Sequence, residues 1–225
     1  MSNFQKDHYL VIKKAISKEL ANFLYNYFSI KKDVAHTILH SGFVSPYTEY
    51  FGHWNDTQVP NSYAHYADIA MDSLLLKVQP IMEQHTKIKL IPTYSYARIY
   101  NKGNELKRHK DRSSCEISTT MNLGGDIWSI FIDPNSKNGK PLKNGYKPGN
   151  AKGVQVILEP GDMLVYKGCI LEHWREPFEG NECCQVFLHY NNALSDFANE
   201  NKYDKRPHLG LPGWFKGVEL TKIKK

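Results

Sequence analysis

A short motif, His109-Lys110-Asp111, places an imidazole and a carboxylate at a spacing suited to binding one metal ion. On an extended chain, residues i and i+2 point to the same side, about 6.6 Å apart along the strand, and a slight bend lets both side chains reach one ion. His173 is the candidate third ligand, because it comes just after a predicted strand and turn. Two histidines and one carboxylate on one face of an octahedron leave the opposite face open, which is the arrangement of non-haem Fe(II) oxygenases.

The same residues have plainer interpretations. With ten histidines in the chain, one His-x-Asp pair arises by chance almost as often as not, so the pair alone is weak evidence. His109 and Asp111 could be surface residues in the charged run 107–112, and His173 could cap or pack between two acidic neighbours. His189, on the next predicted strand, competes for the place of third ligand. Zinc also accepts two histidines and a carboxylate, but the H-E-x-x-H motif of zinc proteases is absent.

The elements that must position these residues begin with helices. Residues 9–16 are predicted to form a short strand, and Ser17 is the expected N-cap of the helix that follows. A second apolar stripe at helical spacing predicts a helix that starts near Ser62, which Pro80 is expected to kink or end. Residues 41–61 contain glycines and prolines among aromatic residues, and we expect them to be irregular.

The character of the chain changes after residue 88, where β-branched and aromatic runs alternate with turn residues. Predicted strands cover residues 93–100, 115–123, 127–132, 154–158, 163–166 and 183–190. Residues 134–153 are rich in lysine, glycine and proline and are expected to form an exposed loop. Helices first and many short strands later predict an α+β domain, whose strands close into a sandwich or barrel against the helices.

Composition and charge restrict the class of protein. The chain has 225 residues, of which 41% are hydrophobic and 23% charged, so it can bury a core and fits one domain better than two. It contains no apolar run near the ~18 residues of a membrane span and no stretch of signal-peptide type, which predicts a cytoplasmic protein outside membranes. The cysteines form no C-x-x-C pair and are expected to be reduced and mostly buried. The formal net charge of +6, partly in a basic C-terminal tail, favours acidic partners only mildly.

Several segments together resemble the 2-oxoglutarate/Fe(II) dioxygenases, above all their prolyl-hydroxylase branch. The segments run in the order Arg98-Ile99-Tyr100-Asn101-Lys102-Gly103, His109-Lys110-Asp111, Leu158-Glu159-Pro160-Gly161-Asp162-Met163-Leu164-Val165-Tyr166, His173 and Pro177-Phe178-Glu179-Gly180. The resemblance covers roughly residues 88–192 and is weaker in the N-terminal helices. A His-x-Asp pair, then Pro-Gly-Asp before a strand, then His is a fairly specific pattern in that order.

The resemblance implies a double-stranded β-helix, which is a jelly-roll or cupin-like barrel with the metal inside one mouth and N-terminal helices packed on one face. Residues 1–225 would then be one dioxygenase domain. Its parts would be helical support over about 1–87, the barrel core over about 88–192 and a C-terminal extension over about 193–225.

The resemblance also implies the chemistry and the residues that serve it. Fe(II) binds 2-oxoglutarate and O₂, and the 2-oxo acid is oxidised to succinate and CO₂ while a substrate C–H bond is hydroxylated. The iron ligands would be His109, Asp111 and His173. A tyrosine at the place of Tyr100 hydrogen-bonds the co-substrate in the prolyl-hydroxylase branch, whereas the alternative for Tyr100 is plain packing inside the barrel.

The chain departs from the family pattern at one position. The family usually carries Lys or Arg on the strand after the distal histidine, where it pairs with the far carboxylate of 2-oxoglutarate. Here Cys183 or Cys184 occupies that place, and neither is cationic. Two substitutes are Arg175, which is near the metal in sequence and has a solvent-facing side chain as its alternative, and Gln185, which is a neutral donor.

Arg98 is the first candidate for the missing cation. It lies two residues before Tyr100, so both side chains share one face of the predicted strand. A buried Arg needs an anion, and 2-oxoglutarate could supply it. The alternative partner is an acid on a neighbouring strand, such as Glu116.

Three hypotheses of function follow. The first is an Fe(II)- and 2-oxoglutarate-dependent hydroxylase acting on a protein or peptide residue such as proline, with segments 43–66 and 134–153 as a substrate lid. The second is the same chemistry on a nucleobase or a small molecule. The positive charge mildly favours an acidic substrate, and Trp54, Trp128 and several tyrosines could stack on bases or could equally be core residues. The third is a non-catalytic metal-binding barrel, which loses support if Arg98 faces the metal cavity.

Overall fold

The computed structural model describes residues 4–45, 48–143 and 145–218, so the end of the basic C-terminal tail lies outside these ranges. The helices are α1 (Phe4–Asp7), α2 (Lys18–His40) and α3 (Ile69–Thr86). The strands are β1 (Tyr9–Ile12), β2 (Tyr63–Tyr66), β3 (Leu90–Asn101), β4 (Leu106–His109), β5 (Ile117–Gly125), β6 (Ile130–Ile132), β7 (Lys140–Leu142), β8 (Gly145–Lys147), β9 (Val154–Val156), β10 (Met163–Tyr166), β11 (His173–Arg175) and β12 (Glu182–Asn192). No helix in the described ranges is both long enough and apolar enough to cross a membrane.

The strands form antiparallel sheets. The larger has six strands in the order β1-β10-β5-β12-β3-β2, and a second has four strands in the order β4-β11-β6-β9. β7 and β8 form a separate hairpin. Helices and antiparallel sheets therefore combine as the sequence predicts, and the predicted strands are all present with bounds shifted by a few residues.

The six-stranded sheet has two different faces. On β12, Val186 and Leu188 are buried in the core cluster that also contains residues of α2 and α3. The residues between and beside them, Phe187 and His189, line a cavity on the other face. Because successive side chains of a strand alternate between faces, one strand contributes both to the core and to the cavity wall.

The first long helix begins as predicted. The Ser17 hydroxyl accepts a hydrogen bond from the Leu20 N–H at 3.1 Å, which satisfies one free donor of the first turn. The helix then continues to His40, with Leu24 and Phe28 buried against the sheet.

The second long helix differs from its prediction. Residues 63–66 form the strand β2, which pairs with β3, and the helix begins only at Ile69 after the N-cap Asp68. An aromatic run of this kind fits an edge strand as well as a helix face, so spacing alone misplaced the start. Pro80 does not end the helix, because Met82 and Thr86 beyond it are buried, and their packing outweighs the lost backbone hydrogen bond.

The described residues of the segment 134–153 are mostly exposed, as predicted, but they are not all loop. The segment contains the β7–β8 hairpin, and contacts from Lys110 and Glu172 hold it against the four-stranded sheet. Cys115, Cys183 and Cys184 are buried and Cys169 is partly buried, and all four are unbridged, as predicted.

Candidate metal and anion site

One strand pair brings the two candidate histidine ligands together. β4 ends at His109 and β11 begins at His173, and the two residues are direct partners in antiparallel register. Their imidazole centroids lie 4.3 Å apart. Directly opposite residues point to the same side of a sheet, so the register places both rings at the cavity.

Asp111 joins them from the turn after β4. Its backbone N–H donates to the Gly168 carbonyl at 2.9 Å, and its Oδ2 accepts from the Ser118 hydroxyl at 3.0 Å. Its Oδ1 lies 3.5 Å from His109 Nε2 and 3.4 Å from His173 Nε2. A Cβ at position 168 would lie 2.3 Å from Asp111 Oδ2, so glycine is what allows this close approach.

Both histidines present the same ring nitrogen to Asp111. The His109 Nδ1 lies 2.7 Å from the Lys107 carbonyl oxygen, and the His173 Nδ1 lies 3.1 Å from that of Leu171. An Nδ1–H that donates to a carbonyl leaves the Nε2 lone pair free for a metal. The three side chains offer ligand atoms within 4.8 Å of one another, a group that could hold a metal ion.

The charges of the group support one another. Burial opposes a charged imidazole, but the Asp111 carboxylate raises the pKa of His109 above 6.5. Burial also opposes the ionised carboxyl, yet His173 and His109 hold the pKa of Asp111 well below 3.8. The carboxylate is therefore ionised at neutral pH, and a metal cation could replace the protons that compensate it.

His189, the competing candidate for the third ligand, does not belong to the group of His109, Asp111 and His173. Its Nδ1 lies 2.9 Å from the Ser118 hydroxyl, and it forms a second group with Asp111 and Cys115 that leaves out His109. Burial lowers the pKa of His189 to about 4, so the ring is neutral. It contacts the Asp111 carboxylate indirectly, through the Ser118 hydroxyl.

The ligand group opens into a cavity of about 330 Å³ that has walls from both sheets. β3 contributes Tyr96, Arg98 and Tyr100, β10 contributes Tyr166, and the segment before β2 contributes Gln58. Gln58 Nε2 lies 3.4 Å from the Nε2 of His109. The cavity thus has exposed polar groups at its mouth and buried tyrosines at its base.

Arg175 does not line the cavity itself but lies close to two residues that do, Tyr100 and Tyr166. It does not face solvent, as the sequence left open, because only 1% of its surface is exposed. Its guanidinium donates to the Trp128 carbonyl, to the Thr120 hydroxyl at 3.2 Å and to the Gln185 Oε1 at 3.1 Å. All three acceptors are neutral, and among the described residues no carboxylate lies within ion-pair distance of it. A buried cation without a counter-ion is costly unless an anion arrives.

Arg98 faces the cavity, as its position beside Tyr100 predicted, but it already has a counter-ion. It pairs with Asp56, whose carboxylate also accepts from the Tyr96 hydroxyl at 2.6 Å. The proposed pair with Glu116 is wrong, because that carboxylate accepts from the Asn192 backbone N–H at 3.0 Å. β3 places Arg98 in the cavity wall, and Asp56, from a segment distant in sequence, neutralises the charge of its guanidinium.

Three buried donor groups in this region have no hydrogen-bond partner. The Tyr100 hydroxyl and Arg98 Nε belong to residues that line the cavity, and Arg175 Nε belongs to a residue that does not line it. Tyr100 is fully buried, and Gln185 points its amide oxygen at Arg175 and its nitrogen at Cys183, 3.2 Å away. Unpaired buried donors are rare in native proteins, and an anion with several acceptor oxygens, bound in the cavity, would satisfy those of Tyr100 and Arg98. The residues present therefore fit 2-oxoglutarate.

Several residues of the site escaped the sequence analysis. Tyr96 could have been found, because it shares the strand face of Arg98. Thr120 and Trp128, which contact Arg175, lie in predicted strands without a local sign of their role. Asp56 and Gln58 belong to an irregular segment, and nothing nearby in sequence indicates that they meet the cavity.

Comparisons with known proteins agree with this architecture. No protein-family model and no curated protein sequence matches the chain. Among solved structures, a Pseudomonas putida prolyl-4-hydroxylase has a TM-score of 0.57 and 12% identity, covering 84% of this chain and 95% of its own. HygX from Streptomyces hygroscopicus, with nickel and 2-oxoglutarate bound, has a TM-score of 0.56 and 14% identity over 85% of each chain.

A third solved structure extends the comparison. The viral collagen prolyl hydroxylase of Paramecium Bursaria Chlorella virus-1, in complex with 2-oxoglutarate, has a TM-score of 0.53 and 11% identity. It covers 84% of this chain and 98% of its own. The sequence resemblance is therefore confirmed at the level of the fold: the chain folds like the 2-oxoglutarate/Fe(II) dioxygenases.

Proposed function

We propose that the chain is an Fe(II)- and 2-oxoglutarate-dependent oxygenase that hydroxylates a substrate C–H bond. In this proposal His109, Asp111 and His173 hold the iron, and the six- and four-stranded sheets are the opposing walls of a double-stranded β-helix. The convergence of two Nε2 atoms on one carboxylate oxygen supports the ligand set. The shared fold supports the class of enzyme.

The single observation that carries the co-substrate assignment is the buried, uncompensated charge of Arg175. This guanidinium replaces the cation that the family pattern expects at Cys183 or Cys184, and it reaches the same region from β11. It binds the far carboxylate of 2-oxoglutarate, while the unpaired Tyr100 hydroxyl donates a second hydrogen bond. Gln185 holds the guanidinium in place through its amide oxygen.

The iron and O₂, when bound, supply the oxidising chemistry, in which 2-oxoglutarate is converted to succinate and CO₂. The residues of the chain bind, orient and shield. Tyr100, Tyr166 and Leu106 are buried side chains of the cavity wall and exclude water from the reacting centre. Ser118 keeps one carboxylate oxygen of Asp111 occupied, so that the other faces the histidines.

A protein or peptide residue, such as proline, is the proposed substrate. Two structures that share the fold are prolyl hydroxylases, and one of them is described as acting on collagen. The exposed side chain of Gln58 and the half-buried Asp56 stand at the mouth of the cavity, where a segment of another chain could approach.

A small molecule is the second candidate, and a different observation favours it. HygX, which shares the fold with a TM-score of 0.54, is also known with hygromycin B bound together with 2-oxoglutarate. The cavity, of about 330 Å³, is lined by the Arg98–Asp56 ion pair, a size and polarity that suit a small polar molecule. A non-catalytic barrel has less support, because Arg98 lines the same cavity as the three candidate ligands.

Release of succinate from 2-oxoglutarate tests the proposal without a known substrate. Purified protein with Fe(II), O₂ and ascorbate should form succinate slowly from 2-oxoglutarate alone. His173→Ala should abolish this release, whereas His85→Ala, on α3, should leave it unchanged. Equal release by wild type and His173→Ala would contradict the ligand assignment.

A further inference from the structure

The charged residues that flank the two candidate histidine ligands all contact the same segment of the chain. Arg108 and Lys110 flank the first histidine, and Glu172 precedes the second. Their charged groups contact residues 133–139 and 146–151, which we call the back loop. His109 and His173 face the cavity, whereas the charged ends of Arg108, Lys110 and Glu172 reach the back loop, although Lys110 also lines the cavity.

Glu172 is the centre of these contacts. Its side chain is fully buried, and its Oε1 accepts from the Tyr146 hydroxyl at 2.9 Å and from the Gly149 N–H at 2.9 Å. A Cβ at position 149 would lie 2.6 Å from Glu172 Oε2, so the loop backbone approaches as only glycine permits. The carboxylate therefore holds Tyr146 and Gly149 of the back loop in place.

Arg108 connects the two histidine strands from behind. Its Nη1 lies 3.6 Å from Glu172 Oε2 and 3.8 Å from Asp133 Oδ2, and its Nη2 donates to the Ala151 carbonyl. Its guanidinium stacks over the Trp174 ring at 3.5 Å from the centroid. Arg108 belongs to β4, whereas Trp174 belongs to β11, so this contact bridges the strands that carry the ligands.

Lys110 adds a third attachment. Its ammonium donates to the carbonyls of Ser136 at 2.9 Å and Gly139 at 3.2 Å. Lys110 lies between His109 and Asp111 in sequence, so a shift of the back loop would pull on the turn that sets the distance between these two ligands.

We propose that Glu172 and Arg108 are positioning residues that couple the order of the back loop to the geometry of the metal site. The inference rests on the proposed metal site. β4 and β11 are short and their pairing shifts register between His173 and Arg175, so the strand pair alone fixes the ligands weakly. Coupling between two events is reciprocal, so metal binding stabilises the back loop as much as the ordered loop stabilises the ligand geometry.

Hydrogen exchange of wild-type protein, with and without Ni(II) under conditions without 2-oxoglutarate, tests this coupling. Ni(II) should slow exchange in the back loop, including the Gly149 N–H that donates to Glu172, by about 5-fold or more. Exchange in the middle of α3 should not change. Glu172→Ala should bind Ni(II) about 5-fold or more weakly, and Glu172→Gln, which keeps the acceptor oxygen, should restore part of the affinity.

Glu83→Ala is the matched control. Glu83 also accepts a backbone N–H, that of Leu90 at 3.0 Å, but at the end of α3. This variant should bind Ni(II) like wild type. Ni(II) binding with unchanged exchange in the back loop would overturn the inference and leave the proposed function intact. A wild-type protein that binds no Ni(II) would overturn both.

Discussion

The two faces of the six-stranded sheet obey different rules. The face toward α2 and α3 is covered by apolar side chains such as Val186 and Leu188, which have no hydrogen-bonding groups to satisfy. The face toward the cavity carries Arg98 and Tyr100, whose polar atoms are buried and partly unpaired. Both faces come from the same strands, separated only by the alternation of side chains.

The difference indicates that one face of the sheet stabilises the fold and the other binds ligands. Packing density decides the helix-facing side, since each buried apolar group contributes to the free energy of unfolding. The cavity side keeps groups that cost stability until a ligand arrives, as active sites commonly do. Substitutions on the first face should change stability alone, and substitutions on the second should change binding more than stability.

The largest expected effect is on the cavity side, at the proposed metal ligands. Asp111→Ala removes a carboxylate that both histidine Nε2 atoms face, so metal affinity should fall by more than ~100-fold. Calorimetric titration with Ni(II) measures this change, and thermal unfolding of the metal-free protein shows whether the fold persists. Wild-type affinity in the variant would remove Asp111 from the ligand set.

The helix-facing side predicts the opposite pattern. Leu188→Ala opens a cavity in the core and should lower the free energy of unfolding by about 2–5 kcal/mol. Because Leu188 points away from the site, the affinity of the folded protein for metal and 2-oxoglutarate should stay within twofold of wild type. Urea unfolding and ligand titration at a temperature where the variant is folded make the comparison. A large loss of affinity would show that the two faces are not independent.

Arg175→Met sharpens the comparison, because stability and binding should change in opposite directions. Removing a buried charge that has only neutral partners should leave the unfolding free energy unchanged or raise it. Affinity for 2-oxoglutarate should fall by roughly 10–100-fold, since a charge-assisted hydrogen bond contributes about 1.5–3 kcal/mol. Arg98→Met, which leaves Asp56 without its cation, is the control and should destabilise the fold. An unchanged 2-oxoglutarate affinity in Arg175→Met would move the role to Arg98.

The smallest expected effect concerns the pH dependence of stability and the carboxylate of Asp68, the N-cap of α3. Burial opposes ionisation of Asp68, but His65, Lys31 and Tyr27 hold its pKa well below 3.8. A depressed folded pKa contributes stability that is present above the unfolded value and is lost as the pH falls toward the folded one. Asp68→Asn should therefore flatten the loss of stability between pH 5 and pH 3 by on the order of 1 kcal/mol. An unchanged slope would mean that the carboxylate does not stabilise the fold by its charge.

The sequence predicted the strands and the His109–Asp111 pair because both depend on short-range patterns. β-Branched and aromatic runs identified β3 and β12, and the His-x-Asp pair is local to one strand end, whereas His173 was added from its place after a predicted strand and in the family pattern. The start of α3 was misplaced, because an aromatic run such as 63–66 satisfies strand and helix patterns equally. The cation for the co-substrate could not be chosen, because the choice depends on which Arg already has a counter-ion. Asp56 neutralises Arg98 from 42 positions away in sequence, and no local pattern encodes that contact.

The central claim is that the metal group and the uncompensated Arg175 form one site for iron and 2-oxoglutarate. Anaerobic titration with Fe(II) and then 2-oxoglutarate tests it, through the visible charge-transfer absorption of a 2-oxo acid chelated to Fe(II). A band that requires both additions, is absent in His173→Ala and needs more 2-oxoglutarate in Arg175→Met is the predicted result. Tight Fe(II) binding with no band at any 2-oxoglutarate concentration would contradict the account.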